Sequence, residues 1–158
     1  MTVVARNQFD DFKDRGQTIA DADLDRFWET LRPATIEDML GQWKGGEFVT
    51  GHRSNGMLAK GKWFGKTFVS AAEAKPLICL DDNGDKFSNT EWMKGEASLW
   101  MEEFRGEVVA TMVYDGVPIH DHFKMVDDVT AMGIMNGKAA LDFTNGTGRH
   151  LYFYLERV

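Results

Sequence analysis

The 158-residue chain has a formal net charge of −7 and 43% apolar residues, a globular composition long enough to bury a full core. The acidic balance contains no cluster of Lys and Arg, which argues against nucleic acid and anionic membrane surfaces as partners. No apolar run reaches the about 20 residues of a membrane span, no apolar leader follows the N-terminus, and Cys79 is the only cysteine; these features predict a cytoplasmic protein without intramolecular disulfides.

The first clear pattern is a helix over Asp21–Arg32, with Leu24, Phe27, Trp28 and Leu31 on one stripe and Pro33 as its stop. Thr35 is a plausible N-cap for a second, short helix that turns Ile36, Met39 and Leu40 inward and is closed by Gly41. The character changes after Gly41, where strand-like runs alternate with turn signals such as NG at Asn55, DDNGD at Asp81, FRGE at Phe104 and YDG at Tyr114. The best strands are 97–104, 107–114, 117–126, 129–135 and 150–158. Their junctions are too short for parallel crossovers. About eight or more antiparallel strands after one or two helices predict a closed or nearly closed barrel, since a long open edge invites aggregation. The chain therefore reads as one domain, 1–158, with a helical segment over 1–41 and a β-barrel over 42–158.

Two segments repeat a glycine–tryptophan pattern: GQWKGG at Gly41–Gly46 and GKWFGK at Gly61–Lys66. Trp43 and Trp63 offer large apolar surfaces, and the flanking glycines allow close backbone approach or a barrel corner. Both are candidates for the cavity wall; core packing is the plain alternative.

GQWKGGEFVTGH followed by GKWFGKTF resembles the bacterial GXWXG-domain family, and RGEVVATMVYDGVPIHDHFKMVDDVTAMGIMNGK with YFYLERV resembles the domain of unknown function that usually follows it. The likeness runs from about Met39 to the C-terminus, and the YDG-PI-DHF segment is its most specific part. Lys124 stands where that family often has Arg, and Asn136 where it often has Asp. The resemblance implies a lipocalin-like barrel and no particular activity. A more distant likeness to the nitrobindin barrels implies a possible haem, with His52 and His150 as candidate ligands and no covalent attachment motif.

The chemistry-bearing segment is VPIHDHFKMV. In a regular strand Ile119, Asp121, Phe123 and Met125 share one face, and His120, His122 and Lys124 the other. Asp121 is then a carboxylate in an apolar row, as a general base, a ligand anchor or a structural, hydrogen-bonded Asp would be. A bulge would bring His122 inward instead. His120 and His122 alone do not complete a metal site, and none is expected. Lys66 is a second candidate: it anchors a ligand, pairs with Asp121, or lies on the surface. Tyr114 adjoins the YDG turn, and Met101, Met112 and Met125 fall on apolar faces of three successive strands, followed by Met132 and Met135. Pliable methionines suit a barrel that accepts an apolar ligand, although they also fill cores.

The sequence thus predicts a binding protein for a small hydrophobic or amphipathic molecule, lined by Trp43, Trp63, Lys66, Met112, Tyr114, Phe123 and Met125. The alternative is a cofactor-free acid–base enzyme using Asp121 and His122, of isomerase, lyase or cyclase type. A non-covalent haem barrel is the third reading. A homodimer is compatible with all three.

Overall fold

The computed structural model describes residues 2–158. Helix α1 (Thr2–Asp14) precedes α2 (Asp21–Thr30); a two-residue strand, β1 (Arg32–Pro33), and a single helical turn, α3 (Ile36–Met39), follow. Then come β2 (Gly41–Glu47), the turn α4 (Met57–Lys60), β3 (Trp63–Ser70), β4 (Glu73–Leu80), β5 (Lys86–Ser88), β6 (Ala97–Phe104) and β7 (Glu107–Tyr114). β8 (His120–Asp127), β9 (Thr130–Asn136) and β10 (Leu151–Arg157) complete the chain.

Every pairing is antiparallel. The order β8-β7-β6-β4-β3-β2-β10-β9 returns to β8, closing an eight-stranded barrel. β5 adds to the edge of β4, and β1 lies beside β8. The β6–β7 hairpin turns at Arg105 and Gly106, both with positive φ, which matches the twist of its strands. β7 and β8 pair only from Thr111 to Val113. Beyond that point the chain after β1 wedges between them, with Ala34 N–H donating to Phe123 O and Ala110 N–H donating to Ala34 O. The segment expected as wholly helical therefore contributes to the sheet, and α2 stops at Thr30 so that Arg32 and Pro33 can pair with Met125 and Lys124.

The wall separates two cores. The inner one contains Trp43, Phe68, Leu99, Met112, Tyr114, Phe123, Met125, Phe153 and Leu155. The outer one packs Phe9 and Phe12 of α1 and Leu24, Phe27 and Trp28 of α2 onto Phe48, Val126, Met132, Ile134 and Tyr152. The α2 stripe is the expected one; α1 is an additional helix. Thr35 caps α3 as expected: its Oγ1 accepts from Asp38 N–H at 3.1 Å, and its own N–H donates to the Asp38 carboxylate at 2.8 Å. Gly41 begins β2. Met101 differs from expectation. It is 44% exposed, because the β6–β7 hairpin runs past the point where β7 and β8 stop pairing.

The two glycine–tryptophan segments lock together. β2 and β3 run side by side with Trp43 opposite Lys66 and Lys44 opposite Gly65. The Trp63 ring lies on Gly45, where a Cβ would come within 2.1 Å of it, and the Trp43 carbonyl oxygen lies on Gly65, 1.9 Å from where a Cβ would sit. The last glycine of each motif thus makes room for the tryptophan of the other. Trp43 is fully buried in the inner core. Its indole N–H donates to Met39 O at 2.8 Å, and the Arg157 guanidinium covers its ring at 4.2 Å while donating to Leu40 O and Asp38 O.

Candidate functional site

The site is built from four strands around a bulge. β3 and β4 lose register between Gly65 and Thr67, opposite Pro76. Proline has no N–H for the ladder and is tolerated at such a bulge. Its carbonyl receives the Trp63 indole N–H at 3.0 Å and the Lys66 ammonium at 3.5 Å. Lys66 is thereby aimed inward, with 2% of its side chain exposed, and meets Asp121 of β8, which is 0% exposed.

Lys66 Nζ stands 3.1 Å from Asp121 Oδ2. The contact is a buried ion pair, and neither carboxylate oxygen has a donor besides Lys66. The Tyr114 hydroxyl is 3.4 Å from Nζ, and the rings of Trp63, Tyr114 and Phe153 surround the ammonium at 5.3–5.6 Å. Burial pushes the pKa of Lys66 down and that of Asp121 up, each opposed by the partner's charge. Burial likewise raises the Tyr114 phenol, with the Asp121 charge adding to it. A carboxylate, an amine and a phenol thus converge in an apolar interior.

Beside them lies a void of about 10 Å³, lined by Leu58, Trp63, Lys66, Leu77, Met93, Tyr114, Met135 and Phe153. A second, of about 80 Å³, reaches toward the barrel mouth between Met57, Trp92, Ala139 and Ala140. Leu58, Met93 and Met135 line both. The rim around them is pinned by backbone: Asn55 Oδ1 accepts the N–H groups of Thr50, Gly51 and His52, and Asp142 accepts those of Arg53 and Thr144. These amide donors, Thr144 first, hold the Asp142 carboxyl at a pKa of about 2. A larger concavity, about 600 Å³, is an open groove between α1 and α2 that includes neither Lys66 nor Asp121.

Strand alternation decides the fate of the other predicted residues. Trp63, Lys66 and Tyr114 line the inner void with Asp121 beside them. Met112, opposite Asp121 on β7, and Phe123 and Met125 on β8 fill the inner core without lining either void. Trp43 lies in the inner core, bonded to Met39 O and lining neither void. His122 is separated from Asp121 by the wall itself: consecutive residues of a regular strand face opposite sides, and the β8 bulge falls later, between Met125 and Asp127. Asp121 and His122 therefore do not form one acid–base pair across a shared substrate. Residues that sequence reasoning passed over are Leu58, Leu77, Met93 and Phe153. Phe153 was accessible through the alternation Leu151, Phe153, Leu155; Leu58 and Met93 come from a short helical turn and a loop with no periodicity to reveal them.

On the outer face His122 stacks on Phe104 at 3.9 Å between ring centres. Asn136 Nδ2 lies 3.1 Å from its Nε2, and its Nδ1 lies 2.8 Å from Thr111 Oγ1, which donates onward to Val109 O. That chain assigns the proton to Nδ1. Burial, then His120, His150 and Arg105, lower its pKa from 6.5 to about 4. The unfolded chain takes up this proton near its ordinary pKa, the folded chain only near 4. The contribution is therefore whole above pH 6.5 and lost as pH falls toward 4; it amounts to about 2 kcal/mol after allowance for screening. Urea titrations across this window should show the loss, and His122→Gln should flatten it; an equally steep loss in the variant would remove His122 as its source.

His120, half-buried, bonds Glu102 at 2.8 Å. Lys124 is buried under α2, donates to Trp28 O and pairs with Glu107. The candidate haem ligands do not meet in the barrel. His52 accepts Ser54 N–H on Nδ1, His150 sits by Met135 O and against Phe104, and neither lines the two voids described above. Among the described residues no group of three or more His, Cys, Asp or Glu could hold a metal, and no helix is long and apolar enough to cross a membrane.

Two family patterns match in tandem: GXWXG protein over residues 26–84, and the domain of unknown function DUF4334 over 95–157. The chain belongs to the GXWXG–DUF4334 family. The two patterns meet in one closed barrel: the GXWXG part supplies Lys66 and the DUF4334 part supplies Tyr114 and Asp121, so the site exists only where both are present. A solved structure described as a protein from Thermomonospora curvata is 34% identical, covers 98% of each chain and superposes with a TM-score of 0.84. No curated protein matches the chain.

Proposed function

We propose that this GXWXG–DUF4334 protein binds a small, largely apolar molecule whose single polar group docks at Lys66 and Asp121 inside the barrel. The supporting observation is the incomplete pairing of that buried couple. Desolvated charges are stable only when their remaining donors and acceptors are satisfied. Asp121 has no donor besides Lys66, and the Lys66 ammonium has one ion-pair contact and two long hydrogen bonds. A ligand hydroxyl or carbonyl would complete both. The voids are small as they stand, so the ligand enters by rotating Leu58, Met93 and Met135, side chains shared by both voids. Methionine suits this role because it has three soft torsions and a polarisable sulfur. Acid–base chemistry is a second reading with Asp121 and Tyr114 as the groups, His122 being on the other side of the wall.

Methyl-labelled methionine NMR with benzyl alcohol as the probe tests the binding reading. The Met93 and Met135 signals should move, and Asp121→Asn should weaken the response by about ten-fold, the effect of losing one buried charge-assisted hydrogen bond. Shifts confined to the exposed Met101 would count against it.

A further inference from the structure

The buried pair has a second peculiarity, independent of the room beside it. A structural lysine in an interior donates its protons along short, aligned bonds. Lys66 does not. Its nitrogen has contacts of 3.1, 3.4 and 3.5 Å and is otherwise faced by the π-surfaces of three aromatic rings. The two hydrogen bonds among these contacts, to Tyr114 and Pro76, are long, so the environment tolerates the cation while holding its N–H bonds loosely. It holds a carboxylate at 3.1 Å and a phenol at 3.4 Å from the nitrogen. That is the set of groups an imine requires: an amine that can shed its proton, an acid–base to move protons between nitrogen and oxygen, and a counter-ion for the product cation.

We infer that Lys66 condenses with an aldehyde or ketone ligand, forming an imine held against Asp121 within the aromatic ring set. The inference rests on the binding reading above and assigns the ligand's polar group: it is a carbonyl. The steps balance without any redox partner. The free amine of Lys66 attacks the carbonyl carbon, and a C–N bond forms as the C=O π pair moves to oxygen. Asp121, holding the proton that the Lys66 ammonium shed before the attack, gives it to that oxygen and then relays one of the two nitrogen protons after it, leaving the other on nitrogen. The C–O bond breaks, water leaves, and the nitrogen lone pair closes the C=N bond. A proton retained on nitrogen gives an iminium facing the Asp121 carboxylate, replacing the ammonium by a cation of equal charge. Water expulsion is favoured where the wall is apolar, as the Leu58, Met93 and Phe153 lining is. Burial also favours the neutral amine that must attack, since each unit by which an amine's pKa falls gives about ten-fold more free base at neutral pH.

The test uses the full chain with benzaldehyde at neutral pH, borohydride to reduce any imine to a stable secondary amine, and peptide mapping to locate the benzyl group. The expected result is modification at Lys66 at least about ten-fold above that of an exposed lysine such as Lys44. Lys66→Arg, which keeps a cation beside Asp121, should lose that modification alone. Asp121→Asn should slow it while leaving surface lysines unchanged. Modification of surface amines at rates equal to or above Lys66 overturns the inference. Benzyl alcohol binding distinguishes the two failures. If the alcohol moves the Met93 and Met135 signals and benzaldehyde leaves no adduct on Lys66, the imine is wrong and the binding site stands. If the alcohol produces no shift and Lys66 stays unmodified, both are wrong.

Discussion

Lys66→Met is expected to destabilise the fold by about 3–5 kcal/mol at pH 7, because it leaves the fully buried Asp121 carboxylate without its cation. Asp121→Leu should act by the same mechanism and leave an ammonium stranded among three aromatic rings. The double variant Lys66→Met/Asp121→Leu should recover most of the loss and lie within about 1 kcal/mol of the parent, or above it, since well-packed apolar residues replace buried ion pairs without penalty. Urea unfolding of the four proteins completes the cycle and isolates the coupling. Additive single losses in the double variant would mean that Lys66 and Asp121 do not sense each other. A pair kept for stability alone would also leave the double variant clearly weaker than the parent. Recovery there, with loss of ligand response, is the pattern expected of residues held in place for function.

Gly65→Ala is the second large expectation. The new Cβ would lie 1.9 Å from the Trp43 carbonyl oxygen and 3.0 Å from the Gly45 nitrogen. Those atoms are backbone of the neighbouring strand and cannot rotate away, so β2 and β3 must separate where Lys66 is aimed inward. A loss of about 3 kcal/mol or more is expected, at the upper end for overpacking. Gly45→Ala meets the edge of the Trp63 ring instead. That ring is a side chain, tethered through its indole N–H to Pro76 O, so the loss should be smaller but should disturb the lining of the void. Denaturation midpoints measured side by side check the order; equal, small losses would remove the interlock as the reason for the repeated motif.

How much of this was legible in the sequence depends on the signal each element carries. The barrel was legible because its strands alternate and its turns contain glycine: β6 and β7 run over 97–104 and 107–114, as read from the pattern. The inward row of Asp121, Phe123 and Met125 followed from period two, and so did the opposite facing of His122, which keeps it out of the site. The partnership of Lys66 with Asp121 was one option among three, because sequence distance says nothing about closure of a ring of strands. Helix α1 falls in the segment read as helical but was not delimited there, since only Phe9 and Phe12 of its stripe are strongly buried and much of the segment is polar. The place of Leu58 and Met93 beside the voids could not be read, as it depends on how a one-turn helix and a loop meet over the barrel. The family motif showed the opposite limit. The glycines of G-x-W-x-G stood out at once, but their reason lay in the other copy of the motif, across a strand pair.

The central claim is that Lys66 and Asp121 anchor a ligand inside the barrel, and native mass spectrometry tests it most directly. The parent protein and the Lys66→Met/Asp121→Leu variant are examined freshly purified and again after incubation with a small-molecule extract of the cells that make them. The account predicts a discrete mass excess on the parent that disappears on acid denaturation, which also hydrolyses an imine, and no such excess on the double variant. A bare protein mass for the parent under both conditions, or the same excess on the double variant, would contradict it.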